Sequence, residues 1–395
     1  MDLLRQNPKS PRPHIKARGC PLPKRARSGK ERKLHAQDIA ILEGLALYNP
    51  RNISDLAIHL KLPRPSLRYR IKNLRSNFSL SLYGNIYHTF IGLRKAIVFA
   101  DAKPGYEELL YECLKANDYW LYVSQCIGAF RCLAVYGIPA GKEKAFGEFT
   151  NQLRQTSPVH NISSFWSTCV QTINATGAWF DKTSEKWSFP WDSWIEEVQR
   201  TQAELPYTLK EPDAYTQKAD WLDIMILKEL EKDSTVKLTE IARKLDTSLE
   251  RIIYHFKNHV IEKGMFEGYQ IIAEHYKNLC ADSYFFQFHF KNQENLTKFA
   301  CSLLHKPFAR FMGKEYGENR LFTQIYLPKE QLSNFLRANS KLVRAGLLET
   351  YEFVAQDMTR TQRQTISFEF FKDGNWEYNH AKYTEKLRFT VKQFT

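Results

Sequence analysis

Five positive charges fall within residues 64–75, and no carboxylate accompanies them. Arg64, Arg68, Arg70 and Arg75 bring guanidinium forks that bind phosphate or a guanine edge through two parallel hydrogen bonds. Lys72 adds a point charge, and Ser66 and Tyr69 add hydroxyls. This is the chemistry of gripping a polyanion rather than of making or breaking bonds. A related and less basic set follows 185 residues later: Arg251, Tyr254, His255, Lys257 and Asn258, with Glu250 among them. Arg64, Ser66, Arg68, Tyr69, Lys72, Arg251, Tyr254, His255 and Asn258 are expected to face a duplex groove. Arg70, Lys72, Arg75 and Lys257 are expected on phosphates. Phosphate contacts set affinity and base edges set specificity. The blander reading is a helical core with a solvated basic face.

Catalytic patterns are missing at the sequence level. No nucleophile elbow and no His/Cys metal spacing stands out, so the expectation is no catalytic residue, no metal, no cofactor and no enzyme.

The elements that must position these side chains occur twice. Residues 38–73 laid over 223–258 give ten identities in thirty-six positions, among them Asp38 with Asp223, Leu60 with Leu245, Tyr69 with Tyr254 and Asn73 with Asn258. An offset this long points to duplication of a whole module rather than to a solenoid. In the first copy, apolar residues at helical spacing predict a helix over 36–47, ended by Asn49-Pro50. A second helix is expected with Ser54 as its cap, and a third starting at Pro63-Arg64-Pro65, where proline is tolerated in the first turn. Residues 80–91 alternate around Gly84-Asn85 and predict a two-stranded wing. The second copy repeats the plan with Ile224, Thr239, a Ser248 cap and an approach to the wing at Gly264 to Tyr269. A basic third helix after a short turn is the arrangement that enters the major groove.

Beyond each winged helix the pattern predicts strand, helix, strand, strand, helix, strand, over 95–170 and again over 284–354. The fold class expected is α+β, with each winged helix followed by a ferredoxin-like βαββαβ domain. The boundaries are 1–33, a disordered basic arm; 34–91 and 218–277, winged helices; 92–175 and 278–358, ferredoxin-like domains; 176–217, an aromatic tail and linker; and 359–395, a second aromatic tail. The tails hold Trp179, Trp187, Trp191 and Trp194, then Phe368, Phe370, Phe371, Trp376, Tyr378 and Tyr383. Such rings suit base stacking, or packing back on a module or between the copies.

A formal charge of +14 selects polyanions as non-specific partners. No apolar run is long enough to span a bilayer, so no membrane partner is expected. Seven scattered cysteines give no disulfide ladder and read as reduced thiols of a cytoplasmic protein.

The segments Asp38-Ile39-Ala40-Ile41-Leu42, Leu67 to Leu74 and Ile261 to Tyr269 resemble the Lrp/AsnC family of bacterial and archaeal regulators. That resemblance implies a sequence-specific, double-stranded DNA-binding transcriptional regulator, nucleoid-associated, whose ferredoxin-like domains assemble and sense effectors. The turn between the middle strands, which in the family carries an aspartate beside the effector site, reads Gly128-Ala129-Phe130-Arg131 and Gly317-Glu318-Asn319-Arg320 here. Arginine at that position departs from the family pattern, and its bidentate fork suits a small anionic effector at Gly128, Arg131, Gly317 and Arg320, or a neighbouring carboxylate that holds it for structural reasons. The tandem implies an intrachain pseudo-dimer or a homo-oligomer through the ferredoxin-like domains. Two other readings stand beside this one. The first is a non-specific architectural DNA-binding protein. The second resembles the sirohaem decarboxylases, which share the domain pairing and would place His160, His275, His289 or His305 with Arg131 or Arg320.

Overall fold

The computed structural model describes residues 33–156 and 159–394, so the expected basic arm lies outside the described residues except for Lys33. Helix α1 (Ala36–Leu47) opens with the His35 amide donating to Asp38 Oδ2 at 3.1 Å. Helix α2 (Ile53–His59) is capped by Asn52, whose Oδ1 accepts from the Asp55 amide at 3.1 Å; the expected cap, Ser54, already sits inside the first turn. Helix α3 (Arg64–Asn77) carries Pro65 in its first turn, where no amide is needed. Ile39, Ile41, Leu42, Leu45, Leu56, Leu67 and Leu74 close a small core between the three.

Strand β1 (Ser81–Ile86) is followed by β2 (Leu93–Ala102), α4 (Glu107–Leu114), β3 (Trp120–Gly128), β4 (Cys132–Pro139), α5 (Glu143–Gln155) and β5 (Val159–Thr172). A short hairpin of β6 (Phe180–Asp181) and β7 (Lys186–Trp187) leads to α6 (Trp191–Arg200). The second half runs α7 (Trp221–Lys232), α8 (Leu238–Lys244), α9 (Leu249–Tyr254) continuing as a π-helical stretch over His255–Ile261, β8 (Phe266–Ile272) and β9 (Ala281–His289). It continues through α10 (Gln293–Leu303), β10 (Ala309–Glu315), β11 (Arg320–Pro328), α11 (Lys329–Arg344) and β12 (Thr350–Arg363) to the hairpin of β13 (Phe371–Lys372) and β14 (Asn375–Trp376) and to α12 (His380–Phe394).

The two halves interlock in three ways. First, each contributes four antiparallel strands, in order β3-β4-β2-β5 and β10-β11-β9-β12, and the edges join β5 to β10 and β12 to β3 into a closed eight-stranded barrel. Period-two alternation sends Ile97 and Phe99 inward while Ala96, Val98 and Ala100 pack in the core that holds Leu109, Leu110 and Phe149 of α4 and α5. Side chains from both halves fill the lumen, among them Phe99, Leu133, Phe285, Phe322 and Val354.

Second, β1 pairs antiparallel with β8, from Ser81 opposite Ile272 to Ile86 opposite Phe266. The expected two-stranded wing of the first copy is therefore corrected: Gly84 and Asn85 lie within a strand, and that strand's partner comes from the other half. Gly84 is required there by close approach, since a Cβ would stand 2.9 Å from the Leu230 carbonyl oxygen at the end of α7.

Third, the aromatic tails are exchanged. Trp191 and Trp194 of α6 bury themselves among Phe299, Phe308 and Phe335 of the second half, with Trp194 Nε1 donating to Ser302 Oγ at 3.2 Å. Tyr378 and Tyr383 pack against Tyr119 of the first half, where Asn117 Nδ2 donates to the Tyr378 hydroxyl at 2.9 Å. Of the two uses expected for the tail rings, contact between the copies is the one this packing makes. Among the described residues, no helix is long and apolar enough to cross a membrane.

Candidate nucleic-acid interface

Helix α3 turns Leu67 and Leu74 inward, and that phase fixes everything else on it. Arg64, Ser66, Arg68, Tyr69, Lys72 and Arg75 are all exposed. Around its N-terminal turn, Gln37, Pro63, Pro65, Ser66, Tyr69 and Asn73 line a shallow depression of about 560 Å³. The helix has no acidic residue in its first turn, so its positive dipole end and its own guanidinium groups act in the same sense on an anion.

Arg70 departs from the expected phosphate role. It is half-buried and donates from Nη1 to Asp38 Oδ1 at 2.8 Å, while the other oxygen of Asp38 holds the start of α1. Its charge is spent bracing α3 against α1. The second copy shows the same geometry with another residue. His255, expected in the groove, is buried, with Nδ1 2.9 Å from Asp223 Oδ1. Both corrections have one cause: the position three residues beyond the inward-facing Leu67 or Ile252 looks at the first helix rather than at solvent. Arg251, Tyr254 and Lys257 are exposed and Asn258 is half-buried. The halves also touch here, with Arg51 over the Phe256 ring at 4.9 Å and the Tyr269 hydroxyl donating to Asn49 Oδ1 at 3.1 Å.

The turn residues expected to meet an effector lie at strand ends of the barrel. Gly128 and Gly317 take positive φ, 137° and 81°, as their turns require. Arg131 stands 3.7 Å from Asp101, and Arg320 stands 3.3 Å from Glu315. Each of these arginines therefore has a carboxylate beside it. The four histidines do not converge. His160 and His305 are exposed. His275 is buried between the carbonyls of Ala273 and Pro307, at 3.1 and 2.8 Å, and burial, helped by Arg310, pushes it down to about 4. Of the two arginines expected beside the histidines, Arg320 is the cross-strand partner of His289.

One polar set escaped the sequence reading. Where the β1/β8 ladder meets the barrel, Glu267 of β8 accepts from Asn85 of β1, beside Lys95 of β2 and Cys169 of β5. Glu267 Oε1 has no solvent access and no hydrogen-bond partner, and neither does Nε2 of the buried His88 close by. Burial raises the Glu267 carboxyl to about 7, against the pull of Lys95 and the hydrogen bonds from Cys169 and Asn85. Burial lowers His88, and Lys95 adds to the effect. The residues come from three stretches far apart in the chain, 85–95, Cys169 and Glu267, so no local spacing announces the whole set.

No protein-family profile matches this sequence, and no curated protein matches it. Among solved structures, the chain aligns over 91% of its length with 99% of the siroheme decarboxylase NirDL, at 12% identity and a TM-score of 0.49. It aligns over 34% of its length with 88% of a transcriptional regulatory protein of Pyrococcus furiosus from the AsnC family, at 22% identity and a TM-score of 0.27. It also aligns over 34% with 89% of an AsnC family transcriptional regulator from Agrobacterium tumefaciens, at 14% identity and a TM-score of 0.28. The expectation that the chain is not an enzyme is corrected on this point: the match that spans 91% of it is to an enzyme, while the regulators match a third.

Proposed function

We propose that the chain binds double-stranded DNA as a sequence-specific transcriptional regulator, through two winged helices over 34–91 and 218–277. In this reading the parts over 92–175 and 278–358 are ferredoxin-like domains that close on each other as an internal pseudo-dimer, in the manner of Lrp/AsnC proteins. The observation that supports it best is the exposed face of α3, where Arg64, Arg68, Lys72 and Arg75 stand open to solvent beside Ser66 and Tyr69. Arg251, Tyr254 and Lys257 serve the second half-site. Because the two faces differ in sequence and charge, the site bound has unlike halves. Arg70 and His255 take no part in contacting it. The test is selection of bound duplexes from a random pool, followed by binding of the winner at two salt concentrations. Reversing Arg64 and Arg68 to glutamate should weaken binding more than tenfold and lower the salt slope by about 0.9 for each phosphate that is no longer neutralised. Reversing Glu143 and Lys144 on α5 should leave both unchanged; equal effects from the two pairs would sink the assignment.

A second reading, catalysis, is favoured by the enclosed Glu267, Lys95, Cys169 and His88, since titratable groups displaced by burial and set beside a specific charge are a recurrent property of active sites. A carboxyl raised to about 7 can both give and take a proton near neutrality. An absorbance scan of the purified protein, then incubation with siroheme and mass analysis for loss of carbon dioxide, tests it. Turnover abolished by Glu267→Gln would support this reading, and no bound pigment with no mass change would remove it.

A further inference from the structure

Around the start of α7, four side chains converge from two elements. Asp220 and Asp223 sit one turn apart on either side of the helix start, and His255 and His259 sit one turn apart on the π-helical stretch. The four ligand atoms, two imidazole Nδ1 and two carboxylate oxygens, all lie within 4.8 Å of one another. His255 Nδ1 is 2.9 Å from Asp223 Oδ1 and 3.5 Å from Asp220 Oδ2. His259 Nδ1 is 3.2 Å from Asp223 Oδ2 and 3.8 Å from Asp220 Oδ2. With Asp223 offering either oxygen, these separations lie on both sides of about 3.3 Å, the edge of a tetrahedron whose metal bonds are about 2.0–2.1 Å long. We infer that the second winged helix carries a tetrahedral site for a divalent transition metal of the zinc type, held by Asp220, Asp223, His255 and His259.

Three features separate this set from an ordinary hydrogen-bonded cluster. The helix cap uses Asp220 Oδ1 and Asp223 Oδ2 for backbone amides, at 3.0 Å each; Asp220 Oδ2 and Asp223 Oδ1 carry no cap bond and lie 3.5 and 2.9 Å from His255 Nδ1, and Asp223 Oδ2 also lies 3.2 Å from His259 Nδ1. The two histidines lie in a π-helical stretch, a rare distortion that recurs at functional positions. The first copy shows what the fold needs when no metal is held: at the positions equivalent to Asp220, Asp223, His255 and His259 stand His35, Asp38, Arg70 and Leu74. There a permanent cation, Arg70, meets the aspartate at 2.8 Å. In the second copy the cation is replaced by two neutral-capable ligands, and a carboxylate with no solvent exposure is left facing them. The side chain of Asp220, 52% exposed, leaves an entry path. Imidazole nitrogens suit zinc, cobalt and nickel, whereas magnesium and calcium call for more oxygens.

The site stands apart from the proposed DNA contacts, because none of its four residues is among Arg251, Tyr254 and Lys257. The full-length chain, stripped with chelator and dialysed, is titrated with zinc and, separately, with cobalt(II). The result expected is one saturable equivalent that disappears on substitution here, with the visible d–d bands of tetrahedral cobalt and no thiolate charge-transfer band. The double variant His255→Arg, His259→Leu transplants the first copy's arrangement and so preserves the fold. It should lose that equivalent, weakening binding by at least about a hundredfold. Asp220→Asn keeps a capping oxygen and should weaken binding while leaving far-ultraviolet dichroism unchanged. Absence of saturable binding, or binding equal in the double variant, would overturn the inference, as would cobalt bands that survive it.

Discussion

Glu267→Gln isolates the cost of enclosing one carboxyl between the ladder and the barrel. In the folded chain burial raises this group to about 7 from 4.5, even after the opposing pull of Lys95 and the hydrogen bonds of Cys169 and Asn85. Between pH 4.5 and about 7 the folded state therefore holds a proton that the unfolded state has released. Stability is unaffected below that window and falls as pH rises through it. At ~1.4 kcal/mol for each pH unit the gap amounts to ~3 kcal/mol above pH 8. Glutamine is neutral at every pH and keeps an oxygen for the Asn85 amide, so the variant should be more stable than the parent at pH 8 by as much as ~3 kcal/mol. Lys95 loses a nearby anion in the variant, which makes that figure a ceiling. At pH 4.5 the two proteins should unfold together. Thermal melts of both across pH 4.5–8.5 give the answer, with the midpoints converging at the acid end. A variant less stable at alkaline pH, or one whose advantage is the same at pH 4.5 and 8, would refute the account of Glu267 as a carboxyl displaced by burial.

Two further outcomes follow from the interlocking halves. Gly84→Ala drives a Cβ to 2.9 Å from the Leu230 carbonyl oxygen, so it should lower the melting midpoint and speed amide exchange along both β1 and β8; exchange confined to β1 would contradict a ladder shared between halves. Trp194→Ala removes a ring that is 1% exposed and should cost ~3–5 kcal/mol. Its loosening should register in α10 and α11 of the other half rather than in α4 and α5, as hydrogen exchange can show.

Much of this architecture lies on the surface of the sequence because it rests on local rules. Period-3.6 patterns at Ile39, Leu42 and Leu45 place α1, Pro65 opens α3, and Ser248 caps α9 through an oxygen accepting from the Arg251 amide at 3.2 Å. The mixed α and β composition and the antiparallel strands follow from the same patterns. What fails is whatever depends on partners distant in the chain. Gly84-Asn85 has the local chemistry of a hairpin turn, yet the strand's partner is 182 residues away and the glycine answers to α7. Arg70 reads as one more cation on a basic helix until Asp38 is seen 2.8 Å away. The four ligands at Asp220, Asp223, His255 and His259 were hidden for another reason: metal spacing is plainest where cysteines carry it, and two aspartates of a helix cap look fully explained by capping. The histidine pair four residues apart was the available signal.

The asymmetry between the halves is the feature that a fused pair permits and a dimer of identical chains does not. In a symmetric dimer any change to the position of Arg70 appears in both subunits at once. Here one half keeps an arginine brace, with a strongly basic third helix, and the other carries histidines over the same aspartate with a less basic helix. Three structural ties then prevent the unlike halves from separating: a barrel closed by strands of both, a shared two-stranded ladder, and aromatic tails buried each on the opposite half. Each tie buries surface that neither half covers alone, so the halves fold as one unit while their chemistry diverges.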